Sequence, residues 1–466
     1  MFLPDLVVRS RRVVTPRGTR PGAIHIRSGR IIGVVDFEDV PQGCPLDDAR
    51  DVVVLPGIVD SHVHVHEPDR AGQGGFERAT RAAAAGGVTT IVDMPFPGVP
   101  ATTTASGLEA KRGAANGRCY VDVGFWGGVV PGNGGDLAPL FEAGVFGFKC
   151  ALLASGADDG PAVSEADLRV AMPALARMGA TLLAHAELAG PIADALTRQR
   201  ARRGWLDRLP SVSRRSRQYA TYLESRPKQA EDEAIALLIQ LCREYRARTH
   251  IVHLSSSNSL TPLFQARAAR LPISVETCPH YLFFVAEEVP SGATAYTCAP
   301  PIRGRENREF LWAALAGGLI QMVVSDHAAA SPPMRLARSG DFMKACAGIA
   351  SLQLSLSIVW TGAQARGYTL DQLAGWMCVA PARLCGLTRK GAVDVGYDAD
   401  LVVFDPDAAL TVEPEALSQG RAPAPYLGQR LRGMVCRTYL RGKRIHARGE
   451  PCPPPSGELL VRGSSR

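Results

Sequence analysis

Apolar and polar positions fall into two textures along the chain. From residue 5 to 54 the pattern is short and alternating. DLVVRSRRVVTP, GAIHIRSGRIIGVVDFE and DVVVLPG set Val and Ile against polar neighbours, with Gly and Pro between the runs, as half-buried strands do. ADLVVFDP and RGMVCRTYLRGKRIHARG repeat this texture near the C-terminus. Residues 1–54 and 391–450 are therefore expected to meet as one small composite β-sandwich. The Pro- and Gly-rich segment 451–466 is expected to form a loosely ordered tail.

Between the two ends, over residues 55–390, strand-like apolar runs alternate with helical segments. The runs are GIVDSHVHVH, GVTTIVDMP, CYVDVGFWGGVV, VFGFKCALL, ATLLAHAEL, THIVHLSSS, PISVETCPH and LIQMVVSDH. FERATRAAAAGG, SEADLRVAMPALARMG and EDEAIALLIQLCREYRA carry the apolar spacing of amphipathic helices. Eight such runs predict an α/β fold, a (β/α)8 barrel, with a doubly wound sheet as the alternative on pattern alone. No GxGxxG follows an early strand and no GxxxxGK[ST] occurs, so a nucleotide-binding reading has no anchor.

Composition narrows the class. At 466 residues, 46% hydrophobic and 21% charged, the chain is ordinarily globular, and no apolar run reaches the roughly 18 residues of a membrane span. In MFLPDLVVRSRRVV the basic residues follow the apolar ones, the reverse of a secretory signal, so a cytoplasmic location is expected. A net charge of +7 with short basic clusters lacking interleaved aromatics gives no nucleic-acid face. The eleven cysteines are scattered and form no CxxC pair, which suits reduced thiols.

Candidate chemistry lies at the ends of the predicted strands. His62 and His64 share one face of a strand by its period of two. Lys149 ends VFGFK, His185 ends ATLLAH, His253 ends THIVH, and Asp326 follows MVVS. Singly, each has an ordinary reading: a core histidine, a helix cap, a snorkelling lysine. Together, four imidazoles and a carboxylate on one barrel rim would be costly to bury without a shared partner, and a divalent metal is the obvious one. Lys149 cannot ligate as an ammonium. Only six of the chain's basic residues are lysines, so its retention suggests a task that Arg cannot perform. As a neutral amine it could add carbon dioxide, and the carbamate could bridge two metals.

At this point the chain resembles the cyclic amidohydrolases, and within them the allantoinases. VLPGIVDSHVHVHEPDR, GFKCALLASG, LLAHAEL, IVHLSSS, VETCPHYL, CAPPIRGRENRE, MVVSDH and KGAVDVGYDADLVVFDP carry the likeness across nearly the whole length. The resemblance implies a distorted TIM barrel with a β-sandwich, two divalent ions (zinc by expectation), a small cyclic-amide substrate of purine catabolism, and a homotetramer with no nucleic-acid or membrane partner. It implies that His62, His64 and Asp326 ligate the more buried ion, that His185 and His253 ligate the outer one, and that carboxylated Lys149 bridges them. Asp326 would also be the catalytic acid/base. Arg70, Ser155, Cys298 and Ala299 are implied to bind substrate.

Departures from the family pattern lie around the substrate. Dihydroorotases place Arg where His66 stands, and hydantoinases place Tyr where Ala154 stands. His66 reads equally as a substrate contact or an exposed loop residue, and His280 as a structural residue behind the ligands. Against allantoinases, Asp69–Gly75, Phe96-Pro97, Ala328-Ala329-Ala330, Cys346-Ala347 and Ser418–Arg421 differ. Pro97 removes an amide side chain, and the alanines are expected to strip side chains from the mouth. The pocket is then wider and less polar. It suits a bulkier ring substituent, and allantoin turnover should be poorer than the resemblance suggests.

Overall fold

The computed structural model describes residues 3–68, 75–154, 160–202, 213–329, 338–417 and 425–463. Five strands come first: β1 Leu6–Thr15, β2 Gly18–Arg27, β3 Arg30–Val35, β4 Leu46–Asp48 and β5 Val53–Pro56. The barrel follows: β6 Ile58–His64, β7 Val88–Asp93, β8 Asp122–Phe125, β9 Gly127–Gly128, β10 Phe148–Ala151, β11 Thr181–His185, β12 Arg248–Ile251, β13 Ile273–Thr277, β14 Met322–Val323 and β15 His327–Ala328. The chain ends with β16 Leu401–Thr411, β17 Arg430–Leu440 and β18 Lys443–Ala447.

The two chain ends share one sheet, ordered β18-β17-β16-β5-β1-β2-β3, with β4 beside β1. The alternation read from the sequence sets its two faces. Val54, Leu401 and Val403 join Val8, Val13, Ile24 and Tyr439 in a core of the sandwich's own. Their neighbours Val53, Leu55, Val402 and Phe404 point the other way, into the main core. Gly57 passes the chain from sandwich to barrel. A Cβ there would lie 2.2 Å from Thr89 Oγ1 and 2.9 Å from Asp400 Cβ, so only glycine fits the crossing.

The barrel strands pair in parallel around a closed ring. Two positions in it are broken. In the third, β8 pairs with β7 while β9 pairs with β10, with Trp126 between. In the eighth, β14 pairs with β13 and β15 closes the ring on β6. Helices lie between the strands where apolar spacing predicts them. The first is Phe76–Ala85, and the longest among the described residues is Lys228–Tyr245. Glu165–Met178 starts in a capping box of Ser164 and Asp167. The fold is a distorted (β/α)8 barrel carrying a β-sandwich, and the doubly wound alternative falls because the sheet closes. Among the described residues no helix is long and apolar enough to cross a membrane.

The tail differs from its expectation. Leu459 bridges to Val123, and Val123 N–H donates to Glu458 O at 2.9 Å. The Arg462 guanidinium stacks 3.5 Å from the Phe141 ring centroid. Proline content misleads here because the edge of β8 still offers unpaired backbone groups, and the last extended residues satisfy them.

A buried cation ties the parts together. Lys390 Nζ lies 2.8 Å from Asp122 on β8, and 2.6 Å and 3.5 Å from Asp400 and Asp398 beside the sandwich. Asp122 also accepts from Arg441 and from the tail's Glu458 N–H. Lys390→Met should strand these carboxylates and cost about 3–5 kcal/mol. A shifted urea midpoint at unchanged m-value checks it, and a shift below ~1 kcal/mol would show that the joint is not a determinant of stability.

Candidate metal centre

The six predicted ligand positions come together in space. His62 and His64 share a face of β6, with ring centroids 5.3 Å apart. His253 lies just beyond β12, with its ring 5.4 Å from that of His62 and 4.8 Å from that of His185, the last residue of β11. Lys149 lies within β10, opposite Leu183 and two residues short of the His185 layer, rather than at the strand end. It is buried, and close enough for its charge to act on both His62 and His253. Asp326 occupies the break in the eighth strand, and its side chain, 14% exposed, is more accessible than that of Glu276, the other carboxylate beside His62.

The local backbone aims two of these groups. His253 and Asp326 have φ of +39° and +47°, a left-handed conformation that costs a non-glycine residue of order 1–3 kcal/mol. Asp60 stabilises the break. Its carboxylate accepts the N–H groups of Ser325 and His62 at 3.2 Å, replacing ladder bonds that the broken strand lacks. Burial pushes the Asp60 carboxyl up to about 7.

Each imidazole is oriented through one nitrogen. His62 Nδ1 lies 2.5 Å from Glu276 Oε1, which leaves Nε2 3.2 Å from Asp326 Oδ1. His64 Nδ1 donates to Phe96 O at 3.0 Å, which leaves Nε2 3.5 Å from Asp326 Oδ1. His185 Nε2 meets Glu187 at 3.1 Å, which leaves Nδ1 3.1 Å from His253 Nε2. Burial lowers the pKa of His62 and carries that of His253 well below the ordinary value, so both rings stay neutral, as ligation requires. Burial would raise Asp326, but the imidazoles of His62 and His64 outweigh it and hold the carboxyl below its ordinary value. His62 Nε2 and His253 Nδ1 are buried without a hydrogen-bond partner among the described residues. His62, His64 and Asp326 each bring a ligand atom within 4.8 Å of the others. Converging neutral nitrogens, a carboxylate and orphaned buried lone pairs fit a divalent cation.

Sequence reading missed the carboxylates that hold the rings. Glu276 is held at about 2: burial opposes ionisation, but His62 and His250 prevail. It accepts from His250 at 2.9 Å and from the His253 N–H at 3.3 Å, so His250 helps to hold the carboxylate in place. Glu187 is paired with Arg226 at 2.9 Å. An acid inside an apolar run, as in ISVETC, was the available signal.

Other expectations divide. His66 is buried at 2% exposure, not on an exposed loop. His280 is fully buried near Asp326. Cys298 is buried, and its carbonyl accepts from Tyr222 Oη at 2.8 Å, while Ala299 is half-buried. The same strap is held by Tyr281 Oη to Pro300 O and by Tyr219 Oη from Ile302 N–H. Ala328 is not in a mouth loop. It lies buried in β15, and a Cβ on Gly348 would fall 2.7 Å from its methyl. Arg70, Ser155, Ala330, 69–74 and 418–421 lie outside the described residues.

Comparison with known proteins extends this geometry. The profile of the Amidohydrolase family matches residues 53–445. An allantoinase of Streptomyces avermitilis is 46% identical over 98% of this chain and 99% of its own length. The Arabidopsis thaliana allantoinase is 39% identical over 97% and 90%. Among solved structures, the L-hydantoinase (dihydropyrimidinase) of Arthrobacter aurescens aligns with a TM-score of 0.90 at 29% identity, covering 99% of this chain and 100% of that one.

Glu276→Gln should weaken cation binding about 10–100-fold by loosening His62. Elemental analysis after dialysis against graded chelator reads this directly. Retention equal to that of the unmodified protein would show that Glu276 serves only packing.

Proposed function

The chain belongs to the amidohydrolase family, and on that premise we propose that it hydrolyses allantoin, opening the cyclic amide to give allantoate. The end-to-end likeness to the Streptomyces allantoinase carries this reading. Convergence of His62, His64, Lys149, His185, His253 and Asp326 from five strands supports the chemistry.

His62, His64 and Asp326 would hold the deeper of two divalent ions, and His185 and His253 the outer one. Zinc suits these imidazole and carboxylate donors. Lys149 would bridge them after its neutral Nζ adds carbon dioxide and releases a proton, leaving a carbamate. When bound, the ions supply Lewis acidity at the scissile carbonyl and lower the pKa of water to about 7. Asp326 enters ionised and takes the proton of the attacking water. It then hands that proton to the departing ring nitrogen as the C–N bond breaks. The strap at Cys298 and Ala299, fixed by tyrosine hydroxyls, would offer backbone groups to the rest of the ring.

A second reading, a cyclic amidohydrolase of hydantoinase type acting on a less polar ring, has one observation in its favour. Pro97 is buried beside the His64 partner Phe96 and brings no polar group where the allantoinase pattern has an amide. Ala328 no longer supports this reading, since its methyl is packed. A catalytically silent scaffold is disfavoured, because none of the six positions is lost. The implied homotetramer belongs to the same proposal, and light scattering checks it.

Comparing kcat/KM on allantoin, hydantoin, dihydrouracil, dihydroorotate and larger 5-substituted hydantoins decides between the two substrates. Allantoin should be preferred; a substituted hydantoin turned over far faster would replace it. Asp326→Asn should keep much of its metal and lose at least ~10²-fold in kcat, and near-normal turnover would remove the proton-carrying role. Lys149→Ala should lose most activity, with partial rescue by short carboxylic acids; full activity without rescue would remove the bridge.

A further inference from the structure

Asp326 belongs to two groups of potential ligands. One is the set with His62 and His64. The other comprises Cys278 and His280, whose ligand atoms and an Asp326 carboxylate oxygen all lie within 4.8 Å of one another. Cys278 follows β13, and His280 lies in the short helix Pro279–Phe283 that comes next. Nothing in the hydrolytic scheme uses either side chain.

His280 is the anomaly. It is fully buried, its ring packs edge-on against Tyr281 at 4.2 Å, and neither ring nitrogen has a hydrogen-bond partner among the described residues. An imidazole left so is costly, and such groups generally have a partner, whether protein, water or ion. The possible metal ligands grouped with it are the Cys278 thiol and the Asp326 carboxylate. A sulfur, an imidazole nitrogen and a carboxylate oxygen form a softer donor set than the six positions above, suited to thiophilic cations. Cys278 and His280 are sealed, while Asp326 has an exposed edge, so a cation would enter from the mouth of the active site.

We propose that Cys278, His280 and Asp326 form an inhibitory site for a thiophilic divalent cation, Cd²⁺ or Zn²⁺ in excess of the resident ions. This rests on the reading of Asp326 as the proton carrier. A cation bound here engages the carboxylate and displaces the Cys278 thiol proton to solvent, giving a thiolate–metal bond. Asp326 can then no longer accept the proton of water.

The test titrates CdCl₂ into enzyme already loaded with its resident ions, following both the ultraviolet thiolate-to-cadmium band and allantoin hydrolysis. Cys44, Cys346, Cys436 and Cys452 are partly or fully exposed, so the band is read as wild type minus Cys278→Ser. A Cys278-dependent band should appear as activity falls. Cys278→Ser and His280→Gln should keep the basal rate and need roughly tenfold or more Cd²⁺ for the same inhibition. Cys278→Ala replaces the serine variant if that one does not fold. Equal inhibition of wild type and the folded Cys278 variant, or inhibition without the difference band, would overturn the site. A Cys278-dependent band in a protein that does not turn over allantoin would support the site and overturn the substrate reading instead.

Discussion

Setting four imidazoles, a lysine and an aspartate against one another inside a barrel is the constraint on which the rest of this structure depends. Each group gives up water, and each must recover an equivalent interaction or shift its protonation. Glu276 does the most to resolve this. One carboxylate fixes the tautomer of His62, bonds His250 and accepts the backbone N–H of His253. It thereby links three strands, orients the imidazole of His62 and holds the backbone that carries His253. Glu187 does the same for His185, with Arg226 compensating its charge. These carboxylates are as much a part of the centre as the residues that converge in it.

The barrel is distorted where the chemistry needs it. A regular eighth strand would continue its ladder through residue 326 and point alternate side chains in and out. The break frees Asp326 to adopt φ +47° and face His62 and His64, while Asp60 satisfies the N–H of Ser325. His253 makes a similar turn one residue beyond the ladder of β12. Strained residues persist only where their surroundings over-determine them, and both of these are surrounded by buried, bonded neighbours.

Opposite ends of the chain meet because the sandwich needs both to complete its sheet. Lys390, Asp122, Asp398 and Asp400 then join barrel, sandwich and tail through charges that cannot be left unpaired in the interior. This joint qualifies the inference from lysine scarcity. Lys111 is also fully buried, 2.6 Å from Asp93, so a rare lysine marks burial in general. Lys149 differs in facing imidazoles, which no count of lysines could reveal.

The sequence by itself determined the periodicities. Alternating runs specified the sandwich strands, eight apolar runs specified the barrel, and the polar residues near the ends of those runs specified which side chains gather at one rim. These features are local, because the pleat and the helical turn repeat over a few residues. Only the tertiary structure decided which groups meet across the ring: Glu276 with His62 over 214 positions, Ser325 with Asp60 over 265, the tail with β8, and the methyl of Ala328 with Gly348. Such partners are chosen by closure of the sheet and by the energetic cost of a buried, unpaired polar group. That cost depends on what lies nearby in space, and a single sequence does not contain it.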